Sequence, residues 1–208
     1  MKRIATFIVL LLMTLCVEAQ TFTQSCIPDD VWKRMQGRSV PKGCTVKRAE
    51  LRYLRLSYWD ADGVEQVGEM VCNRLIASDL LDIFRQLYDK KYPIGRIALI
   101  DDFAASDERS MTNNNTSCFC YRPIAGTKKL SKHSRGMAVD INPLYNPCVK
   151  RGKVSPAAGE KYAFRRNART DIPMKIDTSD LCYRLFISHG FKWGGAWKTT
   201  KDYQHFEK

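Results

Sequence analysis

Histidine is scarce in this chain. Of 208 residues only three carry an imidazole, His133, His189 and His205, so any histidine chemistry has to be built from those three. Apolar runs long enough to cross a bilayer, about 20 residues, are lacking beyond the extreme N-terminus. That argues against stable membrane insertion. Blocks of like charge are lacking too. The chain has 34 Lys and Arg against 22 Asp and Glu, a net charge of +12, yet the cations are scattered and no nucleic-acid motif accompanies them. A nucleic-acid partner is therefore not expected, and an anionic surface outside the cytoplasm, such as cell wall, fits better. No second cysteine pair at zinc-finger spacing partners Cys118-Phe-Cys120, which ranks a structural zinc there below a disulfide or a buried thiol. There is no internal repeat and no low-complexity segment, and the length suits one domain with an irregular extension.

The first residues, "MKRIATFIVLLLMTLCVEAQ", read as a secretory signal. Lys2 and Arg3 start it, Ile4 to Leu15 form its apolar stretch, and the cut falls at Ala19/Gln20. A membrane anchor needs a longer run, and bulky Leu15 disfavours lipid attachment at Cys16. Residues 1–19 are thus assigned as a signal peptide, which predicts a periplasmic or extracellular protein. Its removal takes away two cations and one carboxylate and leaves +11. Cys26, Cys44, Cys72, Cys118, Cys120, Cys148 and Cys182 remain. Export predicts disulfides, and an odd number leaves at least one free thiol.

Residues 20–48 read as an irregular, cysteine-stapled lead-in. "ELRYLRLSYWDADGVEQVGEMVC" gives two alternating runs around Asp62-Gly63, with Leu54, Leu56 and Tyr58 on one face, the pattern of a hairpin. "SDLLDIFRQLYDKKYP" predicts an amphipathic helix capped by Ser78 or Asp79, with Leu80, Ile83, Phe84 and Leu87 as its stripe. "RIALIDDF" reads as a strand and "SMTNNNTSCFCYRPIAGTKKL" as a long loop, a length usually functional or disordered. "GMAVDIN" reads as a strand entered through Gly136. "DTSDLCYRLFISHG" predicts a second helix, capped by Asp177 or Thr178 and stopped by Gly190. The closing "FKWGGAWKTTKDYQHFE" reads as strand, glycine turn, and strand or turn.

His189 falls in the last turn of that second helix, where a cation suits the dipole, and is read as structural. His133 and His205 lie in polar, glycine-containing stretches. Asp140 is the decisive third residue: on a strand built of Val139 and Ile141, a carboxylate needs a counter-charge or hydrogen-bond partner. Two imidazoles and a carboxylate suit zinc, and three protein ligands leave the fourth tetrahedral position to water. A hydrolytic site also needs a base. Asp202 stands three residues before His205; on a regular strand the two face opposite ways, so the segment has to turn or bulge. The alternative for Asp202 is a solvated residue.

Ser131-x-His133-x-x-Gly136-x-Ala138-x-Asp140 with Asp202-x-x-His205 resembles the signature of the D-alanyl-D-alanine carboxypeptidase and L-alanyl-D-glutamate endopeptidase family of zinc peptidases, which shares its fold with vancomycin-resistance dipeptidases and the Hedgehog signalling domain. The closing segment resembles the endopeptidase branch. The resemblance runs from about Glu50 to Lys208 and assigns residues 49–208 to a zinc peptidase domain. It implies one zinc per chain, held by His133, Asp140 and His205, with Asp202 as catalytic acid or base. The dipeptidases carry glutamate at that place. It further implies that Arg122 steadies the reacting carbonyl oxygen, although Arg135 lies close by in sequence. Ser131 contacts the metal shell or substrate, or orients its loop. Trp197 is expected against substrate, while Trp193 is as readily a core residue. The expected fold is α+β, with a central antiparallel sheet, helices packed on one side, and the zinc site in a groove on the sheet face. The expected partners are peptidoglycan stem peptides, met by a monomer. The competing reading is a catalytically silent, zinc-containing cell-wall binding module on the same fold.

Overall fold

The computed structural model describes residues 20–124, 126–164 and 172–208. Residues 1–19, the expected signal peptide with Cys16, lie outside the described residues. The chain begins with β1 (Phe22–Ser25) and α1 (Asp29–Met35), followed by the long hairpin of β2 (Leu51–Trp59) and β3 (Glu65–Asn73). The hairpin turns where expected. Asp60 Oδ1 accepts from the backbone N–H groups of Asp62 and Val64, and Gly63 takes φ +74°. β1 pairs antiparallel with β2, giving a sheet of order β1-β2-β3.

Both faces of this sheet are apolar. Leu54, Leu56 and Tyr58 join Met70 and Cys72 on one face, under α2 (Ala77–Asp89), whose Leu80, Ile83, Phe84 and Leu87 are fully buried. On the other face Leu51, Tyr53 and Val71 pack with Val31 and Met35 of α1 and with Phe119. Helices on one side only was therefore the wrong expectation: β2 is apolar in both phases of its alternation, and two apolar faces demand two covers. The N-terminal segment is likewise not an irregular, stapled lead-in. It supplies β1 and α1, and its Arg34 pairs with Glu69 and Asp102. All seven cysteines of the described residues are free thiols, so the expected disulfides do not form. Cys72, Cys118 and Cys182 are core packing residues instead, which is how small, weakly polar thiols behave when buried.

The helix caps also differ from expectation. Helix α2 starts at Ala77 after Ile76, with no side-chain cap, and Asp79 bonds Lys208 Nζ at 2.7 Å instead. The predicted strand after Pro93 shrinks to β4 (Arg96–Ile97) and continues into a 3-10 turn, Ile100–Phe103. After α3 (Asp107–Thr112), β5 (Asn115–Thr116) pairs with β4 in parallel.

The remaining strands are short: β6 (Ala138–Asp140), β7 (Cys148–Lys150) and β8 (Lys153–Ser155). Two helices, α4 (Glu160–Ala163) and α5 (Leu181–Ser188), precede β9 (Lys192–Trp193), β10 (Thr200–Asp202) and β11 (His205–Glu207). Helix α5 is capped by Asp180, whose Oδ1 accepts from Cys182 N–H at 2.9 Å, rather than by Asp177 or Thr178. The strands form two further antiparallel sheets, β10-β7-β8 and β6-β11-β9. The molecule is thus a mixed helix-and-strand fold with several antiparallel sheets and five α-helices among the described residues, without one central sheet.

Candidate metal centre and active site

The centre is built where β6 meets β11. Their antiparallel register sets His205 directly opposite Asp140, so the two side chains leave the sheet on the same side. Gly136 brings the chain into β6 with φ +63°, and a Cβ there would lie 2.6 Å from the Asn73 amide nitrogen; both facts require glycine. His133 sits one turn earlier, in the 3-10 turn Lys132–Arg135, whose start is capped by Ser131 Oγ accepting from His133 N–H at 3.2 Å.

The ligating atoms of His133, Asp140 and His205 lie within 4.8 Å of one another. His133 Nε2 is 3.2 Å from Asp140 Oδ2 and 3.2 Å from His205 Nδ1, and His205 Nδ1 is 3.0 Å from Asp140 Oδ1. Each imidazole is fixed through its other nitrogen. His133 Nδ1–H donates to the Cys118 carbonyl at 2.6 Å, and His205 Nε2 meets Glu207 Oε2 at 3.3 Å. That arrangement turns one lone pair of each ring toward the Asp140 carboxylate, the orientation that outer-shell partners give to metal-binding histidines. The donor set fits zinc.

Burial works against the charge on Asp140, but the two imidazoles outweigh it and hold the carboxyl well below the usual range. Burial likewise opposes a charged His205, yet its bonds to Asp140 and Glu207 push it up to about 10. Without a metal, the cluster therefore carries a proton at neutral pH that a cation would displace.

Asp202 reaches the same place from β10, with Tyr203 and Gln204 forming the turn between it and β11. This is the break in the strand that the three-residue spacing demands. Asp202 is half-buried, but its Oδ1 is shielded from solvent and has no hydrogen-bond partner. Burial, with Asp140 nearby, pushes its pKa above the ordinary aspartate value, opposed by His205 and by a hydrogen bond from the Cys148 thiol. Cys148 is its cross-strand partner on β7. Gly194 packs between the base candidate and a ligand: a Cβ there would stand 2.7 Å from Asp202 O, 2.9 Å from Asp202 Cβ and 3.2 Å from His205 Cβ.

Arg122 is tied to the His133 turn through its backbone. Its N–H donates to Ser134 Oγ at 2.9 Å, and its carbonyl accepts from Ser134 Oγ–H at 2.5 Å and from Ser131 N–H at 3.1 Å. Its Nε lies 2.5 Å from Asp107 Oδ2. Arg135, the neighbouring alternative, is exposed. Trp197 is half-buried with its ring 5.3 Å from that of His205, whereas Trp193 is buried and donates Nε1–H to Tyr203 O. His189 is engaged elsewhere, with Asp82 and the Leu185 carbonyl.

Three contributors escaped the motif reading: Glu207, Ser134 and Gly194. Glu207 was legible in principle, because alternation puts it on the same strand face as His205. Ser134 and Gly194 act through tertiary contacts that spacing does not encode.

Residues 125–208 match the family model described as D-alanyl-D-alanine carboxypeptidase. The matched span contains His133, Asp140, Asp202 and His205 but not Arg122. No curated protein and no solved structure matches the chain. The family match supports the resemblance drawn from the two-part motif, and with it a zinc peptidase acting on peptidoglycan-type substrates.

Proposed function

We propose that the chain is an exported zinc metallopeptidase that hydrolyses peptide bonds in peptidoglycan stem peptides, with the L-alanyl-D-glutamate bond as first choice and terminal D-alanyl-D-alanine as second. One observation carries this reading: the three converging donor atoms stand near a second carboxylate, Asp202, one oxygen of which is shielded from solvent and has no partner. A module that only holds zinc has no use for that group, and burying a polar atom without a partner is costly.

His133, Asp140 and His205 would hold the zinc, which would supply a Lewis acid able to polarise a carbonyl and lower the pKa of a water to ~7. Asp202 takes the proton of the attacking water and returns it to the leaving amine. Its raised pKa, due first to burial, suits it to hold that proton. Arg122 donates N–H groups to the carbonyl oxygen as negative charge develops there. Losing one such donor typically costs ~3 kcal/mol, on the order of a hundredfold in rate. Trp197 lends a flat wall, and Ser131 keeps an O–H to offer to substrate. Lys132, Arg135, Lys198 and Lys201, close in sequence to the site residues, favour the carboxylates of a stem peptide, in on-rate more than in affinity.

The test is mass spectrometry of purified peptidoglycan fragments after digestion, with metal analysis of the same sample. The expected result is about one zinc per chain and cleavage that exposes a D-glutamate N-terminus or frees D-alanine. Failure to cut either bond, together with efficient cleavage of ordinary L-peptides, would reduce the reading to a zinc peptidase of other substrate.

A further inference from the structure

We propose that Asp107 is a positioning residue for Arg122: it grips the guanidinium by its Nε edge, so that the terminal nitrogens face the reacting carbonyl instead of falling onto Asp140. The inference rests on Arg122 being the group that steadies the carbonyl oxygen.

The backbone of Arg122 is fixed at both its N–H and its carbonyl by Ser134 and Ser131. That leaves a long side chain with about 2 kcal/mol of rotamer freedom between a fixed root and a charged head. Two carboxylates act on the charge of the head, and one of them touches it. Burial opposes the charge on Arg122, and Asp107 first, then Asp140, sustain it. Asp140 belongs to the ligand cluster, and a guanidinium lying against it would take the lone pairs a cation needs and turn its donors away from substrate.

Asp107 prevents this by contact. Its Oδ2 is 2.5 Å from Nε, with the two side chains only 28% and 33% exposed. The contact is an ion pair rather than an aligned hydrogen bond, since Nε has no hydrogen-bond partner, and partial exclusion of water strengthens such a pair over an exposed one. The carboxylate is itself well held. It comes from the first turn of α3, which Ser106 Oγ caps and where a negative charge is favoured. Helix α3 is pinned on either side of the site: Glu108 Oε1 accepts from Ala157 N–H at 2.9 Å, and buried Ser110 Oγ accepts from Asn115 Nδ2–H at 2.9 Å. The Nε edge of the guanidinium thus lies against a fixed element, with the Cys120 thiol as a further neighbour, and a bound substrate carbonyl would compete for the terminal N–H groups.

The experiment combines kinetics with a readout independent of turnover. Asp107→Asn and Asp107→Ala are expected to lower kcat about ten- to a hundredfold, the scale of a misplacement near 1 Å, with KM nearly unchanged and partial recovery in Asp107→Glu. In an Arg122→Ala background the same substitutions should cost less than about twofold, because the two residues act as one unit. Wild-type kcat in Asp107→Ala overturns the proposal, as does an undiminished loss in the Arg122→Ala background. Separately, hydrogen exchange at Arg122 Nε–H is followed by NMR in the zinc-loaded protein. Protection in the wild type and its loss in Asp107→Asn are expected; equal exchange in both overturns the proposal whatever the kinetics. If the wild type cleaves no peptidoglycan fragment, the catalytic reading fails, and the exchange data still decide whether Asp107 holds the arginine.

Discussion

Gly194→Ala adds one methyl group between Asp202 and His205. The new Cβ would meet the Asp202 carbonyl oxygen at 2.7 Å, about 0.7 Å inside the 3.4 Å where ordinary contact begins, and would also press on Asp202 Cβ and His205 Cβ. The neighbours cannot give way freely. Asp202 is paired with Cys148 across β10 and β7, and His205 with Asp140 across β11 and β6. The backbone conformation at Gly194 is not one reserved for glycine, so alanine gains about 0.4–1 kcal/mol from the unfolded state. Overpacking costs about 1–3 kcal/mol. The balance is a net loss of about 1–2 kcal/mol, or a fall in Tm of about 2–8 °C for a chain of this size. The rate should suffer more, because a shift of Asp202 approaching 1 Å is worth ~10²-fold. Gly159→Ala is the matched control: its Cβ would meet the Leu144 carbonyl oxygen at the same 2.7 Å, outside the ligand cluster. Thermal melts should show similar losses for both variants, and peptidoglycan digestion should show a large rate loss for Gly194→Ala alone. Wild-type turnover in Gly194→Ala would refute the placement of Asp202 as base.

Asp202→Asn keeps shape and removes basicity, so zinc content by metal analysis should stay near one per chain while turnover falls ~10²–10⁴-fold; loss of zinc would make Asp202 a ligand instead. Glu207→Gln weakens the anchor on His205 Nε2 and should raise the zinc Kd about ten- to a hundredfold in chelator competition, whereas an unchanged Kd would leave Glu207 a surface residue. Because His205 is held at about 10 without metal, zinc uptake near neutral pH should release about one proton, seen by calorimetry in buffers of different ionisation enthalpy, and affinity should rise with pH. The same shift has a sign for the metal-free fold. A pKa raised from 6.5 to about 10 contributes stability that is full below 6.5 and lost as pH rises through about 10, so denaturant midpoints of the stripped protein should fall across that window.

What was legible in the sequence is what local pattern encodes. The hairpin around Asp62-Gly63 followed from alternation and turn chemistry, and the stripe of α2 from helical spacing, because each depends on neighbours a few residues apart. The ligand trio was legible for a different reason. An aspartate between Val139 and Ile141 is chemically out of place, and with only three histidines the partners it needs are few. The caps were not legible, since several polar residues near a helix start compete and tertiary contacts decide among them. Asp79, for instance, is drawn to Lys208.

The two covers of the first sheet show the same boundary. Leu51 and Tyr53 sit in one phase of β2, and Leu54, Leu56 and Tyr58 in the other. Both phases were visible as apolar, but choosing one face for the core left the other without a cover. Helix α1 and the residues flanking it are that cover, and they do more than close the sheet. Phe119 packs in the cluster with Val31 and Met35, and Tyr121 N–H donates to the Ser39 carbonyl at 3.0 Å. Phe119 and Tyr121 lie between Cys118, whose carbonyl orients His133, and Arg122. With Val31 and Met35 packed on the sheet face away from α2 and Ser39 bonded to the chain that carries Arg122, residues 27–46 support the site, while β1 extends the sheet edge, where Phe22 packs on Tyr88 of α2.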